Sequence, residues 1–106
     1  MSPEKQRIAI ADACGWSRYS ALSTHGWIEG EPETDGPIPD YLNDLNACSE
    51  LINYMESLGW ACVLVAQNGA RCCTFTDGID YKVIGDKFET AICEAFLRTL
   101  NLWTES

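Results

Sequence analysis

The spacing of apolar residues changes abruptly at Gly59, from the helical period to strand-like alternation, and this change decides which folds are open to the chain. Trp60-Ala61-Cys62-Val63-Leu64-Val65-Ala66 reads as a strand, Asn68-Gly69 as a type I′ hairpin turn, and Arg71-Cys72-Cys73-Thr74-Phe75-Thr76 as the returning strand. Asp77-Gly78 then turns the chain into Ile79-Asp80-Tyr81-Lys82-Val83-Ile84, which completes an antiparallel meander of three strands. Pairing through these turns puts Ala61, Val63, Val65, Cys72, Thr74, Ile79, Tyr81 and Val83 on one face. Cys62, Leu64, Cys73, Phe75 and Ile84 fall on the other, together with Arg71, Asp80 and Lys82. Both faces hold apolar residues, so the sheet calls for cover on both sides.

Three helical patterns are available to supply that cover. Ser2 caps the first, with Pro3 at its first position, and Ile8, Ala11 and Cys14 recur at helical spacing until Gly15, giving a helix over about 3–14. Asp40 caps the second, over about 41–58, where Leu45, Cys48, Ile52 and Met55 line one face and Gly59 closes the end. Asp86 and Glu89 form a capping-box pattern for the third, whose apolar stripe runs through Phe88, Ile92, Ala95, Phe96, Leu100 and Trp103. The expected fold is α+β, a three-layer α/β/α sandwich in the order α-loop-α-β-β-β-α. A chain of 106 residues accommodates one such core, so residues 1–106 form a single domain.

The segment between the first two helices, about 16–40, has prolines, glycines and acids but no sustained period. Loops longer than about 15 residues inside a compact domain usually carry a function or are disordered, which makes this the candidate functional segment. Tyr19 and Trp27 lie within it as potential binding aromatics, while Trp16 and Tyr41 pin its ends to the core. Glu29, Glu31, Glu33 and Asp35 form an acidic stretch suited to an Arg- or Lys-rich surface.

Charge and cysteine usage exclude several classes of function. With 16 acidic and 7 basic side chains the net charge is −9, so a phosphate-tracking surface for nucleic acid is disfavoured and a basic protein partner is favoured. No apolar run approaches the ~20 residues that span a bilayer, and the N-terminus leads into a helix pattern, so no membrane association and a cytoplasmic location are expected. Cys14, Cys48, Cys62, Cys72, Cys73 and Cys93 contain no CxxC pair, and neighbouring Cys72 and Cys73 point to opposite faces of a strand. They are expected to be buried thiols, with neither a metal site nor a cofactor.

His25 is the one histidine and has no nucleophile motif beside it, so no catalytic residue is assigned and a non-enzymatic role follows. Arg71 and Lys82, placed on the same sheet face, are the alternative ligand-binding pair, able to bracket a phosphate.

Three strings carry a resemblance: Pro3 to Trp16 (PEKQRIAIADACGW), Pro39 to Ala47 (PDYLNDLNA) and Ala95 to Trp103 (AFLRTLNLW). They resemble the small phage and prophage proteins of the phage ABA-sandwich family. The chain departs from that pattern after Ala47, where Cys48-Ser49-Glu50 replaces a more charged run. The resemblance implies helices around an antiparallel sheet and a viral or prophage origin in a bacterial host. It implies no activity, and it transfers no functional residue.

Two readings of function follow. In the first, the chain is a stoichiometric inhibitor of a host anti-phage defence, such as a CRISPR effector, that occludes a basic surface with its acidic aromatic loop. In the second, it is a sponge for a small nucleotide signal, with Arg71 and Lys82 in the pocket of an oligomer. A phage accessory protein with another partner is the plainer alternative. A contiguous acidic face separates the first from the second, which requires converging cations.

Overall fold

Three helices and two three-stranded antiparallel sheets follow one another in the order α-βββ-α-βββ-α. The structure, a computed structural model, describes residues 1–20, 25–76 and 80–104, except for the side chains of Pro32, Thr34, Asp80, Tyr81 and Lys82. The expected loop is the principal correction: between the first two helices the chain forms a sheet of its own, so the fold is not a single meander. Ser23, Thr24, the Asp77-Gly78 turn and Ile79 lie outside the described residues.

Helix α1 spans Pro3–Ala13 and begins as expected, with the Ser2 hydroxyl accepting from the Lys5 amide at 3.2 Å. Its inward residues are Gln6, Ile10 and Ala11, while Ile8 is half-buried. Gln6 tolerates burial because its amide donates to the Met1 carbonyl at 3.1 Å. Helix α2 spans Leu45–Ser57 and starts at Asp44, whose carboxylate accepts from the Asn46 amide at 2.9 Å. The expected start at Asp40 is four residues early, because the intervening turn delivers Tyr41 and Leu42 into the core. The later start leaves Leu45 half exposed and directs Ala47, Cys48, Leu51 and Met55 inward. Gly59, at φ +93°, closes the helix in the left-handed geometry expected of it.

Helix α3 spans Phe88–Thr99 and is the centre of the molecule. It packs on the second sheet and on both other helices, so Ala91, Ile92, Cys93, Ala95, Phe96, Leu97 and Thr99 are buried around most of its circumference. The expected Asp86 cap is absent: Lys87 holds the cap position without a side-chain bond, and the Thr90 hydroxyl donates to the Lys87 carbonyl at 3.0 Å. Among the described residues, no helix is long and apolar enough to cross a membrane.

The second sheet consists of β4 (Ala61–Gln67), β5 (Ala70–Thr76) and β6 (Asp80–Gly85) in that order. Its first hairpin matches expectation, with Asn68 at φ 52° and Gly69 at φ 79°, both positive as a type I′ turn requires. The second hairpin differs by one residue, since Thr76 pairs with Asp80 and not with Ile79. A slip of one reverses the face of every residue on the strand. Val83 therefore joins Cys62, Cys73 and Phe75 on the helix-covered face, and Ile84 moves to the opposite one, where it is 64% exposed. That opposite face, with Val63 and Val65 beside Ile84, is open, so helices cover the sheet on one side and the expected cover on both sides is not found there.

Candidate functional site: an acidic aromatic sheet

The first sheet comprises β1 (Trp16–Arg18), β2 (His25–Ile28) and β3 (Glu31–Pro37), in that order. A two-residue loop, Glu29-Gly30, joins β2 to β3, and Gly30 takes φ +81° in it. Gly26 makes the β1–β2 pairing possible. A Cβ at that position would collide with the Ser17 carbonyl oxygen and lie 3.3 Å from the Arg18 Cα, so only glycine permits such close backbone approach. The sheet is tied to the core at both ends, by partly buried Trp16 and by Tyr41, which is 1% exposed. Helix α1 adds a clamp, as the Arg7 guanidinium donates to the carbonyls of Ile38 and Pro39 just beyond β3.

On this platform the structure brings together four of the six residues expected to contact a partner. The Tyr19 and Trp27 rings lie 4.9 Å apart between centroids and are tilted by 51°, a favoured aromatic arrangement. The Tyr19 hydroxyl donates to Asp35, and the Trp27 indole N–H donates to Glu29 at 3.3 Å. Glu31, Glu33 and Asp35 are all exposed on β3, whose pairing with β2 shifts register between Ile28–Glu31 and Gly26–Gly36, so an irregularity in the strand separates Glu31 from Asp35. Tyr19 itself is 60% exposed, an unusual position for a large ring already engaged with a second ring and a carboxylate. Its hydroxyl pKa is raised, mainly because the hydrogen bond to Asp35 holds the proton, with desolvation and the carboxylate charge adding to it.

The neighbouring cation is engaged elsewhere. Arg18 forms a two-pronged ion pair with Asp12 of α1, at 3.0 and 3.1 Å, and donates to the Ser20 carbonyl at 3.2 Å. This pairing directs its charge toward α1. His25 lies exposed in β2, where it pairs in register with Pro37.

Arg71 and Lys82 do not assemble as expected. Arg71 pairs with Gly85 and Lys82 with Thr74, so the register places the two on opposite faces of the sheet, and the Lys82 side chain lies outside the described ones. The Arg71 guanidinium sits 5.7 Å over the Phe88 ring and donates to the Ala70 carbonyl at 3.3 Å. An open groove of about 680 Å³ between α2 and β4 is lined by Ile52, Glu56, Gly59, Trp60, Ala61, Cys62 and Leu64. Its charged residue is a carboxylate, which suits neither a phosphate nor a nucleotide.

The cysteines belong mainly to the core. Cys48 donates its thiol to the Tyr41 carbonyl at 2.8 Å, and a hydrogen bond to a neighbouring sulfur, reinforced by burial, pushes the Cys73 and Cys93 thiols up. Cys62, half-buried in the groove, is the exception, its pKa lowered by the hydrogen bond from Cys73. Among the described residues, no group of three or more His, Cys, Asp or Glu is placed to hold a metal ion.

Comparison with known protein families, curated proteins and solved structures finds no match to this chain. The sheet over 16–37, with Gly26 and Gly30 as the residues that permit it, is what sequence reasoning missed at this site. The signal was present in the Glu29-Gly30 pair flanked by His25-Gly26-Trp27-Ile28, although Pro32 and Pro37 argue against a strand in the following segment.

Proposed function

We propose that this chain is a non-enzymatic binding protein of phage origin that inhibits a host anti-phage defence. It does so by seating its acidic aromatic sheet on a basic surface of a nucleic-acid-binding effector, such as a CRISPR effector. The phage origin rests on the resemblance of the strings over 3–16, 39–47 and 95–103 to the phage ABA-sandwich family. The observation that carries the binding role is the tilted Tyr19–Trp27 ring pair, hydrogen-bonded to Asp35 and Glu29, on the small sheet that also carries Glu31 and Glu33.

The physical logic has two parts. Rigid aromatic rings contribute large contact area at little conformational cost, and their burial against a partner removes apolar surface from water. The carboxylates steer a cationic partner and complement its charge, which raises the association rate more than the final affinity. The nucleotide-sponge reading requires converging cations, and the register that separates Arg71 from Lys82 favours the first reading instead.

The test is affinity capture from the bacterial host, read by mass spectrometry. Wild-type protein should retain a basic nucleic-acid-binding protein, and Tyr19→Ala with Trp27→Ala should lose it while the melting temperature stays nearly unchanged. Equal retention by the double variant contradicts the proposed site.

A further inference from the structure

Four strands form the edges of the two sheets, and three of them carry features that discourage pairing with another chain. β1 is three residues long, β3 contains Pro32 and Pro37 along with Glu31, Glu33 and Asp35, and β6 contains Asp80 and Lys82. β4 has none of these. Its seven residues, Ala61-Cys62-Val63-Leu64-Val65-Ala66-Gln67, include no charge and no proline, and its register with β5 is unbroken from end to end. Val63, Leu64 and Val65 are 48%, 41% and 41% exposed, so apolar side chains meet water on both faces of an edge whose outward backbone groups have no strand beside them among the described residues.

We infer that β4 is the seam of a homodimer, pairing antiparallel with β4 of a second copy across a twofold axis at Leu64 and joining two three-stranded sheets into one of six strands. Charge selects a second copy as the occupant. A chain of net charge −9 repels its own kind over most of its surface, and two copies approach most easily along a strand without carboxylates. A cationic partner strand finds no counter-charge on β4 and is drawn instead to the acidic sheet. The sequence is also complementary to itself: the twofold pairs Leu64 with Leu64, Val63 with Val65, Cys62 with Ala66 and Ala61 with Gln67, all uncharged.

Both faces of the seam gain apolar contact. On the open face, Val63 and Val65 of the second copy extend a strip that already contains Val63, Val65 and Ile84. On the helix side, Leu64 meets its copy at the mouth of the groove lined by Ile52, Trp60 and Cys62. Glu56 also lines that groove, so the dimer brings two like charges toward the seam and should tighten as salt rises. A contact between the acidic sheet and a basic partner should loosen with salt, and this opposite dependence keeps the two proposals separable.

The experiment is sedimentation of the full chain over a range of concentrations. Wild type should shift from one to two chain masses, and Val63→Lys and Leu64→Lys should each weaken self-association at least about tenfold by opposing like charges at the seam. Ile84→Lys, on β6 at the opposite edge of the sheet, should leave the dimer intact. Hydrogen exchange on unaltered protein provides the second measurement, in which amides within Ala61–Gln67 should gain protection with concentration and those of β6 should not. A monomer at every concentration, a dimer indifferent to both edge lysines, exchange in β4 that ignores concentration, or a dimer that dissociates as salt rises overturns the inference.

Discussion

Single residues decide how the thiols and the acidic sheet behave. The hydrogen bond from Cys73 lowers the pKa of Cys62, against its partial burial and the Glu56 charge, whereas Cys73 and Cys93 are fully buried and shifted upward. Cys14 is raised to about 11, first by burial and then by the Glu50 charge. Thiolate is the species that reacts, so brief alkylation of the native protein near neutral pH should label Cys62 ahead of Cys14, Cys73 and Cys93 in a peptide map. Equal or slower labelling of Cys62 would show that its thiol is not favoured by this contact. At Gly26, a methyl group meets the Ser17 backbone. Gly26→Ala should cost about 1–3 kcal/mol, as overpacking does, and should separate Tyr19 from Trp27, visible as altered tryptophan fluorescence.

At the level of elements, some of the fold was legible in the sequence and some was not, for reasons that can be named. The β4–β5 hairpin was readable because Asn68-Gly69 demands positive φ at both positions and few other turns satisfy that. The third strand pairs one residue away from the position that Asp77-Gly78 implies as a two-residue turn, and period-two geometry converts that single residue into an exchange of faces for Val83 and Ile84. Asp40 and Asp44 are both competent caps four residues apart, and burial of Tyr41 and Leu42 decides between them. In the first sheet the turn signal at Glu29-Gly30 is outweighed by the glycines and prolines that interrupt its strands, and its pairing depends on a missing side chain at Gly26. Its aromatic and acidic residues are nevertheless legible from composition, since they interleave there in either conformation. Along helix α3 the apolar stripe is legible while the cap is not: Ile92, Ala95 and Phe96 are fully buried, Phe96 packs 5.9 Å from the Tyr54 ring, and Lys87 stands where Asp86 is expected to cap. Phe96→Ala should cost about 3–5 kcal/mol, measured by denaturant unfolding, and an unchanged midpoint contradicts its place in the core.

For the whole molecule, the buried protonated groups set a limit at alkaline pH. Cys14 rises from 9.0 to about 11 on folding, and Tyr41, Cys73 and Cys93 are pushed up as well, each chiefly by burial or by a hydrogen bond that holds the proton. A group with a raised folded pKa contributes stability that is intact below its unfolded pKa and is lost as pH climbs toward the folded one. Stability should therefore fall as pH rises from 9 through about 11, the window set by Cys14, as followed by thermal melting across that range. Excess negative charge acts in the same direction by self-repulsion.

The central claim is that a net charge of −9 is put to use on one sheet, where carboxylates flank an aromatic pair. It is tested most directly by the association rate with the captured basic partner as a function of salt, for wild type and for the Glu31→Lys, Glu33→Lys double variant. Wild type should associate fast at low salt and slow steeply as salt rises, and the variant should be at least about tenfold slower at low salt with a flattened dependence. Identical rates and identical salt slopes for the two proteins would contradict the account.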